Sequence, residues 1–170
     1  MNYFEESERN FDEREHLWIT IDIKSLPSTI SSALASYTSD PNVLDILADL
    51  SDITNKLQVA LNPHTLGKTL KRLAKEAFVF IKEAVALHKN TLPETLEELA
   101  KDKDEIVRIA ATSNYNTPVK VLILNLFDPC RNVVIAAIRN PMTPKENVEV
   151  LSNTKDSLIL YEVKKRLNSK

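Results

Sequence analysis

Apolar residues in this chain recur with a helical spacing, and the helical segments themselves recur every 26 residues. Leu66, Leu70, Leu73 and Ala74 lie at i, i+4, i+7 and i+8, which places them on one face of an α-helix. Residues 92–100 repeat the same pattern 26 positions later. A polar break follows each such segment, and a second helical pattern then runs to the next repeat. The spacing therefore predicts pairs of short helices.

The repeat is easiest to follow from five anchor positions that are 26 residues apart: Ser36, Asn62, His88, Asn114 and Asn140. Three residues after the anchors stand Ser39, Thr65, Thr91, Thr117 and Thr143. Asn tolerates the left-handed conformation that often ends a helix, and Ser or Thr is a favoured N-cap. Pro144 directly after Thr143 suits the first helical position. We therefore expect each anchor to end one helix and the hydroxyl residue to begin the next.

This pattern predicts an all-α fold, an α-solenoid of about five 26-residue two-helix repeats. The first helix of each unit, helix A, is expected at 40–50, 66–75, 92–101, 118–127 and 144–152. The second, helix B, is expected at 53–61, 77–87, 105–113, 130–139 and 156–167, with a B-like helix at 27–35. Residues 27–170 would then form one repeat domain. Residues 1–26 do not follow the pattern and are expected to form an irregular acidic N-terminal cap.

The segment "VALHKNTLPETLEELAKDKDEIVRIAATSNYNTP" (85–118) resembles the leucine-rich repeat variant family and, through Asp102, Val107, Arg108 and Ala111, HEAT-type repeats. The resemblance covers residues 33–165 and is strongest over 62–118. It implies a right-handed superhelix of the armadillo/HEAT kind and no common catalytic activity. Some members carry an iron–sulfur cluster on a Cys-rich extension, which a chain with the single cysteine Cys130 lacks.

Composition narrows the class of protein further. The chain has 170 residues, a formal charge of −2, one glycine and one cysteine, which excludes an internal disulfide and a Cys-rich metal site. No apolar run approaches the roughly 18 residues that a membrane span needs. The acidic start "MNYFEESERNFDERE" is unlike a signal peptide. We expect a protein of the reducing cytoplasm, without cofactors.

Charge is unevenly distributed along the sequence. Residues 1–61 carry a net charge of −7 and residues 62–170 a net charge of +5. This asymmetry predicts that the acidic N-terminal part docks on the basic C-terminal part, in the same or a neighbouring molecule, with salt-sensitive self-association in the second case. The alternative is that the charges only solvate helix surfaces.

Three cations stand 20 residues after successive anchors: Lys56, Lys82 and Arg108. Because helix B usually lines the concave side of such repeats, this ladder is a candidate site for an acidic partner or phosphates. The alternative is structural, with Arg108 bonded to Asp102 or Asp104 within the repeats. Lys offers no bidentate fork, so this alternative is weaker for Lys56 and Lys82.

A second candidate is a basic patch formed by Lys68, Lys71, Arg72 and Lys75 on one helix A. A nucleic-acid interface usually adds aromatic residues to such a cluster, and none are interleaved here. The patch is therefore interpreted as solvated surface, with nucleic-acid binding as the alternative.

Single positions that depart from the repeat are further candidates for a functional site. Asn125 replaces a core Leu, and a rotated helix would bring Leu124, Leu126 and Phe127 into the core instead. His64 and His88 lack the ligand spacing of a zinc site, so no metal is expected. Cys130 begins a helix B, where a thiol can be reactive, although an ordinary half-buried cysteine is the simpler interpretation.

The sequence contains no nucleophile motif, phosphate loop or HExxH motif. We expect a non-catalytic scaffold that binds a protein partner on its concave surface, with an acidic partner as one option. The first alternative is a nucleic-acid-binding or DNA-repair solenoid of the HEAT type, which rests on fold analogy. An accessory subunit of a pigment or cofactor lyase is a smaller possibility.

Overall fold

Every regular element of the part described by the computed structural model, residues 22–168, is helical. That part contains the α-helices α1 (Ser28–Tyr37), α2 (Pro41–Leu47), α3 (Ile53–Leu61), α4 (Gly67–Leu73), α5 (Val79–Leu87), α6 (Pro93–Leu99), α7 (Glu105–Ser113), α8 (Val119–Asn125), α9 (Arg131–Arg139), α10 (Lys145–Glu149) and α11 (Ser157–Asn168). Short 3-10 helices occupy Ile23–Ser25 and Val150–Asn153. The predicted all-α class is confirmed.

The alternation of the two helix types follows the 26-residue pattern. The even-numbered helices are the predicted A helices, and the odd-numbered helices are the predicted B helices; every predicted end agrees within three residues. Most of the predicted N-terminal cap, residues 1–21, lies outside the described residues. None of the helices in the described part is both long and apolar enough to cross a membrane.

The odd-numbered helices pack on one another in chain order. The contacts run from α1 to α3, α5, α7, α9 and α11, and each even-numbered helix from α2 to α8 packs on the odd-numbered helices before and after it. Buried Leu, Ile, Val and Ala side chains fill the space between these helices. One apolar cluster extends from Ala35 to Val121, and a second extends from Leu126 to Val163.

The anchor asparagines act through their side chains, not through an unusual backbone. Asn62, Asn114 and Asn140 are extended at φ between −72° and −64°, and no residue of the described part has a positive φ. The expected left-handed conformation is therefore wrong. Each buried Asn donates two hydrogen bonds from Nδ2 to backbone carbonyls at the end of the preceding odd-numbered helix; Asn140 bonds to Thr112 at 2.8 Å and Asn114 at 3.0 Å.

The same amides also shape the loop that follows them. Asn140 Oδ1 accepts from the N–H of Met142 at 2.9 Å, and Asn114 Oδ1 accepts from Asn116 at the same distance. One buried side chain thus satisfies backbone groups of two successive units, which would otherwise be unpaired inside the protein.

The threonines three residues after the anchors have a different role from the predicted one. The hydroxyls of Thr65, Thr91, Thr117 and Thr143 donate to carbonyls six residues earlier, in the last turn of the odd-numbered helix. The following residue takes the N-cap position without a side-chain hydrogen bond. The predicted N-caps are wrong because the orphan carbonyls at a helix end compete for the same hydroxyl.

The first unit departs from the repeat by two residues. The helix α1 ends at the cap Thr38, so the structural equivalent of the anchors is Thr38, not Ser36. Asn62 donates to the carbonyls of Ala35 at 2.8 Å and Thr38 at 2.9 Å. Asp40, which has no counterpart in later units, caps α2 by accepting from Asn42 N–H at 2.8 Å.

Gly67, the single glycine, is required for space. A Cβ at this position would lie 2.8 Å from Leu92 Cγ and 2.9 Å from the carbonyl oxygen of Asn90. Asn90 Nδ2 holds the two loops together by donating to the carbonyls of Pro63 and Thr65. A close approach between consecutive loops therefore explains this glycine.

His88 replaces the anchor asparagine of the third unit and keeps two of the three hydrogen bonds that an anchor Asn makes, one donated and one accepted. Its Nδ1 accepts from the N–H of Asn90 at 3.0 Å, so Nε2 carries the proton and donates to the carbonyl of Asn62 at 2.9 Å. This arrangement requires the neutral ring. Burial lowers the pKa of His88, and the hydrogen bond to Asn62 opposes that shift only in part.

We predict that His88 makes stability pH-dependent. Because its pKa is lower in the folded than in the unfolded chain, its contribution is complete above the unfolded value of 6.5 and falls as the pH drops below it. His88→Asn restores the anchor amide and should reduce this loss. Urea midpoints at about pH 7.5 and about pH 5 measure the effect, with His64→Asn as the exposed control. An equal loss of stability in wild type and His88→Asn would contradict the assignment.

We predict opposite effects for two equivalent threonines. Thr69 donates to Asp45 Oδ1, whereas the buried hydroxyl of Thr95, 26 residues later, has no partner among the described residues. The equivalent of Asp45 for Thr95 is Lys71, which cannot accept a hydrogen bond. One unit further on, the threonine position itself is occupied by Val121. Thr95→Val should therefore stabilise the fold by about 1 kcal/mol, and Thr69→Val should destabilise it by about the same amount. Chemical unfolding of both variants is the measurement; a destabilised Thr95→Val would overturn the explanation.

Candidate functional site

The three cations of the predicted ladder join consecutive units. Each pairs with a carboxylate 20 residues later, in the loop before the next odd-numbered helix: Lys56 with Glu76 at 2.7 Å, Lys82 with Asp102 at 2.7 Å and Arg108 with Asp128 at 3.0 Å. Arg108 also donates to the carbonyls of Asp102 and Lys103. Its expected carboxylate partner, Asp102 or Asp104, is thus replaced by Asp128 of the following unit.

Burial makes these pairs more than surface contacts. The side chains of Lys82 and Asp102 are 19% and 11% exposed. Burial opposes ionisation of Asp102, but hydrogen bonds from Lys82 and the N–H of Asp104 outweigh it and lower its pKa. The hydrogen bond to Asp128 raises the pKa of Arg108. An acidic ligand would have to compete with an internal carboxylate at each cation, and binding by this ladder stays a prediction.

The ladder ends where the repeat becomes apolar. Val134 stands 26 residues after Arg108, and Thr154 stands 26 residues after Asp128. Thr154 Oγ1 still accepts from the N–H of Asp156 at 3.3 Å, as Asp102 Oδ1 does from Asp104 at 2.9 Å. The loop therefore keeps its hydrogen bond when the cation and the carboxylate of the ladder are replaced by the uncharged residues Val134 and Thr154.

We predict that Lys82 and Asp102 are energetically coupled. Lys82→Val should cost about 2 kcal/mol because it leaves a mostly buried carboxylate without its cation. The double variant K82V/D102T copies the natural Val134 and Thr154 joint and should cost at least about 1 kcal/mol less than the two single changes together. Urea unfolding of the four proteins gives the coupling, with the exposed Lys71→Val as control. Additive costs would rule out a bracing pair.

The predicted basic patch lies on α4, next to Asp45 of α2 and Asp49, which follows α2. Arg72 binds Asp45 at 2.9 Å and Asp49 at 3.1 Å, and Lys68 lies 3.5 Å from Asp45. The hydrogen bond from Thr69 and these two cations lower the pKa of Asp45 despite its burial. The patch is therefore partly neutralised by its neighbour.

The other two residues of the patch face solvent. Lys71 and Lys75 are exposed and make no ion pair with any residue of the described part. The next even-numbered helix, α6, is acidic, and its Glu97 binds Lys120 of α8 at 2.6 Å. Ion pairs between even-numbered helices thus engage Lys68 and Arg72 but not Lys71 and Lys75, and nucleic-acid binding by the patch stays a prediction.

Asn125 is buried, contrary to the expected rotation of its helix. Its Nδ2 donates to Thr112 Oγ1 at 2.6 Å, which pairs the amide inside the protein. Leu126 is buried, whereas Leu124 and Phe127 are 65% and 64% exposed. The rotation is therefore wrong for two of its three residues. The polar contact also lies between the two apolar clusters.

Cys130 and His64 show no assembled reactive centre. The Cys130 thiol is half-buried and donates to Glu105 Oε2 at 3.0 Å. The His64 backbone N–H bonds to Asn62, and its ring is exposed. Within residues 22–168, no three His, Cys, Asp or Glu side chains are close enough together to hold a metal ion.

A large exposed apolar surface was not predicted. It lies on the odd-numbered helices at positions one, four, five and eight residues before the anchor, which share one helix face. In α1 the anchor equivalent is Thr38, and in α11 the 26-residue spacing makes it Arg166. We call this surface the B face; its most exposed apolar members are Ile30, Tyr37, Leu61, Phe80, Leu87, Ile106, Leu158 and Tyr161, with exposed fractions of 42–88%. Because these side chains lie outside the core, packing does not explain them.

Grooves between adjacent odd-numbered helices divide the B face. The groove between α7 and α9 has a volume of about 440 Å³ and is lined by Ile109, Ile135 and Ala136, with Tyr115 and Arg139 among its more exposed residues. The groove between α3 and α5, of about 350 Å³, lies at the equivalent ends of its helices. A third, of about 320 Å³, lies between α9 and α11. It is lined mainly by charged side chains, among them Arg139 and Glu162, which form an ion pair at 2.5 Å. The apolar groove thus recurs at α3–α5 and α7–α9.

The sequence carried a signal for this surface. In α7, Val107 and Ala111 point to the core, so Ile106 and Ile109 are apolar residues beyond the arc that core packing requires. The excess became evident only when the structure separated core from surface.

No family model matches the chain, and neither the curated proteins nor the solved structures include one similar to it.

Proposed function

We propose that this protein is a non-catalytic interaction module that binds another protein on its B face. The observation that carries the proposal is the set of exposed apolar side chains at equivalent positions of successive odd-numbered helices. Clustered apolar surface is costly to leave in water and is characteristic of interaction sites. Aromatic and leucine side chains such as Tyr37, Leu61 and Leu87 can supply the buried centre of such an interface.

We further propose that the repeats form a right-handed α-solenoid with the B face on its concave side. The chain-order packing of the odd-numbered helices and the anchor hydrogen bonds between units support this arrangement. The resemblance to leucine-rich repeat variant and HEAT-type repeats supports it independently. A reducing compartment such as the cytoplasm would suit the single free cysteine.

Nucleic-acid binding has less support. Arg72 and Lys68, half of the predicted basic patch, are paired with carboxylates of α2, and no aromatic side chain of the patch itself is available for base stacking.

We predict that a photo-cross-linking residue at Leu87 on the B face forms a discrete adduct with a partner in native lysate. The same residue at Lys71, on the opposite set of helices, should not. Excess unlabelled protein should compete, and the identified partner should bind L61S/L87S at least about tenfold more weakly. Since Leu61 and Leu87 are exposed, the double variant should fold with unfolding free energy changed by less than about 1 kcal/mol. Equal affinity for wild type and variant would refute the proposal, and capture of nucleic acid would favour the alternative.

A further inference from the structure

The N-terminal segment outside the described residues carries a seven-residue repeat of its own. Phe4 is followed by two glutamates, and Phe11, seven residues later, is followed by Asp12 and Glu13. Residues 1–21 contain six carboxylates and two arginines, a net charge of −4. Each phenylalanine is thus an apolar side chain with a pair of negative charges directly after it.

The B-face grooves offer the complementary chemistry. The groove between α3 and α5 is lined by Leu61, Ala84 and Leu87, and Lys89 is its one lysine or arginine. In the groove between α7 and α9, Arg139 is the one charged lining residue, and its guanidinium already donates two hydrogen bonds to the carboxylate of Glu162. Neither groove is lined by a carboxylate. The α3–α5 groove therefore combines an apolar lining with the exposed cation of Lys89, whereas the α7–α9 groove offers mainly its apolar lining.

The spacing of the two phenylalanines also fits. Packed helices are about 8–10 Å apart, so these two grooves, separated by two helix spacings, lie about 16–20 Å apart. Seven residues of chain span at most about 23–25 Å. Residues 4 and 11 can therefore reach the two grooves together.

The connection to the described part is long enough. Phe11 precedes Asp22 by eleven residues, and Phe4 by eighteen, which allows about 36 Å and about 60 Å of chain. The described chain begins at Asp22 and enters α1, the first odd-numbered helix. From α1, the α3–α5 groove is about one and a half helix spacings away and the α7–α9 groove about three and a half, or about 15 Å and about 35 Å.

We propose that residues 1–21 bind the B face of their own chain, with Phe11 in the α3–α5 groove beside Lys89 and Phe4 in the α7–α9 groove against Ile109 and Ile135. The segment would cover the surface to which we assign partner binding, so a partner must displace it. This inference takes the B face from the proposed function and adds its resident occupant. An external partner would carry the same chemistry, an apolar side chain followed by acidic residues.

Paramagnetic relaxation tests the contact in the full-length chain. A spin label at position 7 (Ser7→Cys in a Cys130→Ser background) should broaden amide signals of Ile109 and Ile135 more than those of α4 and α6. F4S/F11S should abolish this selectivity, and Tyr3→Ser, another aromatic change in the same segment, should preserve it. Absence of selective broadening in the parent would overturn the proposal.

A mixed sample separates the same chain from a neighbouring one. Spin-labelled chain without ¹⁵N is added to ¹⁵N-labelled chain without a spin label, and only contact between molecules broadens the signals. The proposal expects no selective broadening in this sample. Broadening there as strong as in the singly labelled chain would assign the segment to a second copy and overturn binding within one chain.

A charge exchange tests the electrostatic part. Lys89→Glu should weaken the broadening at α3 and α5, and D12K/E13K combined with Lys89→Glu should restore it. Lys89 is exposed and makes no side-chain ion pair with the described residues, so this change should leave the fold intact. Failure of the combination to restore contact would contradict the assigned pairing.

Partner binding provides an independent readout. If the segment occupies the face for nine-tenths of the time, F4S/F11S should bind the cross-linked partner about tenfold more tightly than wild type. Unchanged affinity in F4S/F11S together with loss of binding in L61S/L87S would overturn the inference and leave the proposed function intact. If the spin label shows contact between the segment and the B face but no partner binds there, the proposed function is wrong and the inference stands.

Discussion

The anchor side chain at the end of each odd-numbered helix is the contact on which the repeat depends. A helix that stops inside a protein leaves carbonyls unpaired, and an extended loop leaves N–H groups unpaired. Asn114 and Asn140 pair both kinds of group. Their Nδ2 donates to carbonyls of the previous unit, and their Oδ1 accepts from an N–H in the loop of the same unit. The identical bond pattern in successive units fixes their relative position.

The anchor can change its chemistry if the geometry of donor and acceptor is preserved. His88 presents one ring nitrogen as donor and the other as acceptor, like the two ends of an amide. The replacement introduces a proton equilibrium that Asn lacks. The ion-pair ladder shows a comparable replacement. Val134 and Thr154 stand in place of a cation and a carboxylate, and the loop hydrogen bond is retained.

Charge in this protein acts mainly between neighbouring units. Lys56, Lys82 and Arg108 are each occupied by a carboxylate of the following unit, and the basic helix α4 binds Asp45 of α2. Exposed B-face side chains such as Tyr37, Leu61 and Leu87 are by contrast apolar. This division, with most ion pairs between the repeats and apolar side chains on the B face, is the physical basis of the proposed interaction module.

The helices follow from the amino-acid sequence alone, because apolar periodicity and a 26-residue repeat are local properties of the chain. The pattern placed α3 and α7 at their observed bounds and singled out the three ladder cations. The roles of the repeated residues, in contrast, depend on contacts between units. A threonine near a helix end can cap the next helix or bond back to the previous one, and the choice depends on which orphan carbonyls lie within reach. Likewise, Ile106 and Val107 are both apolar in sequence, and only packing against neighbouring helices separates the exposed B-face residue from the buried one.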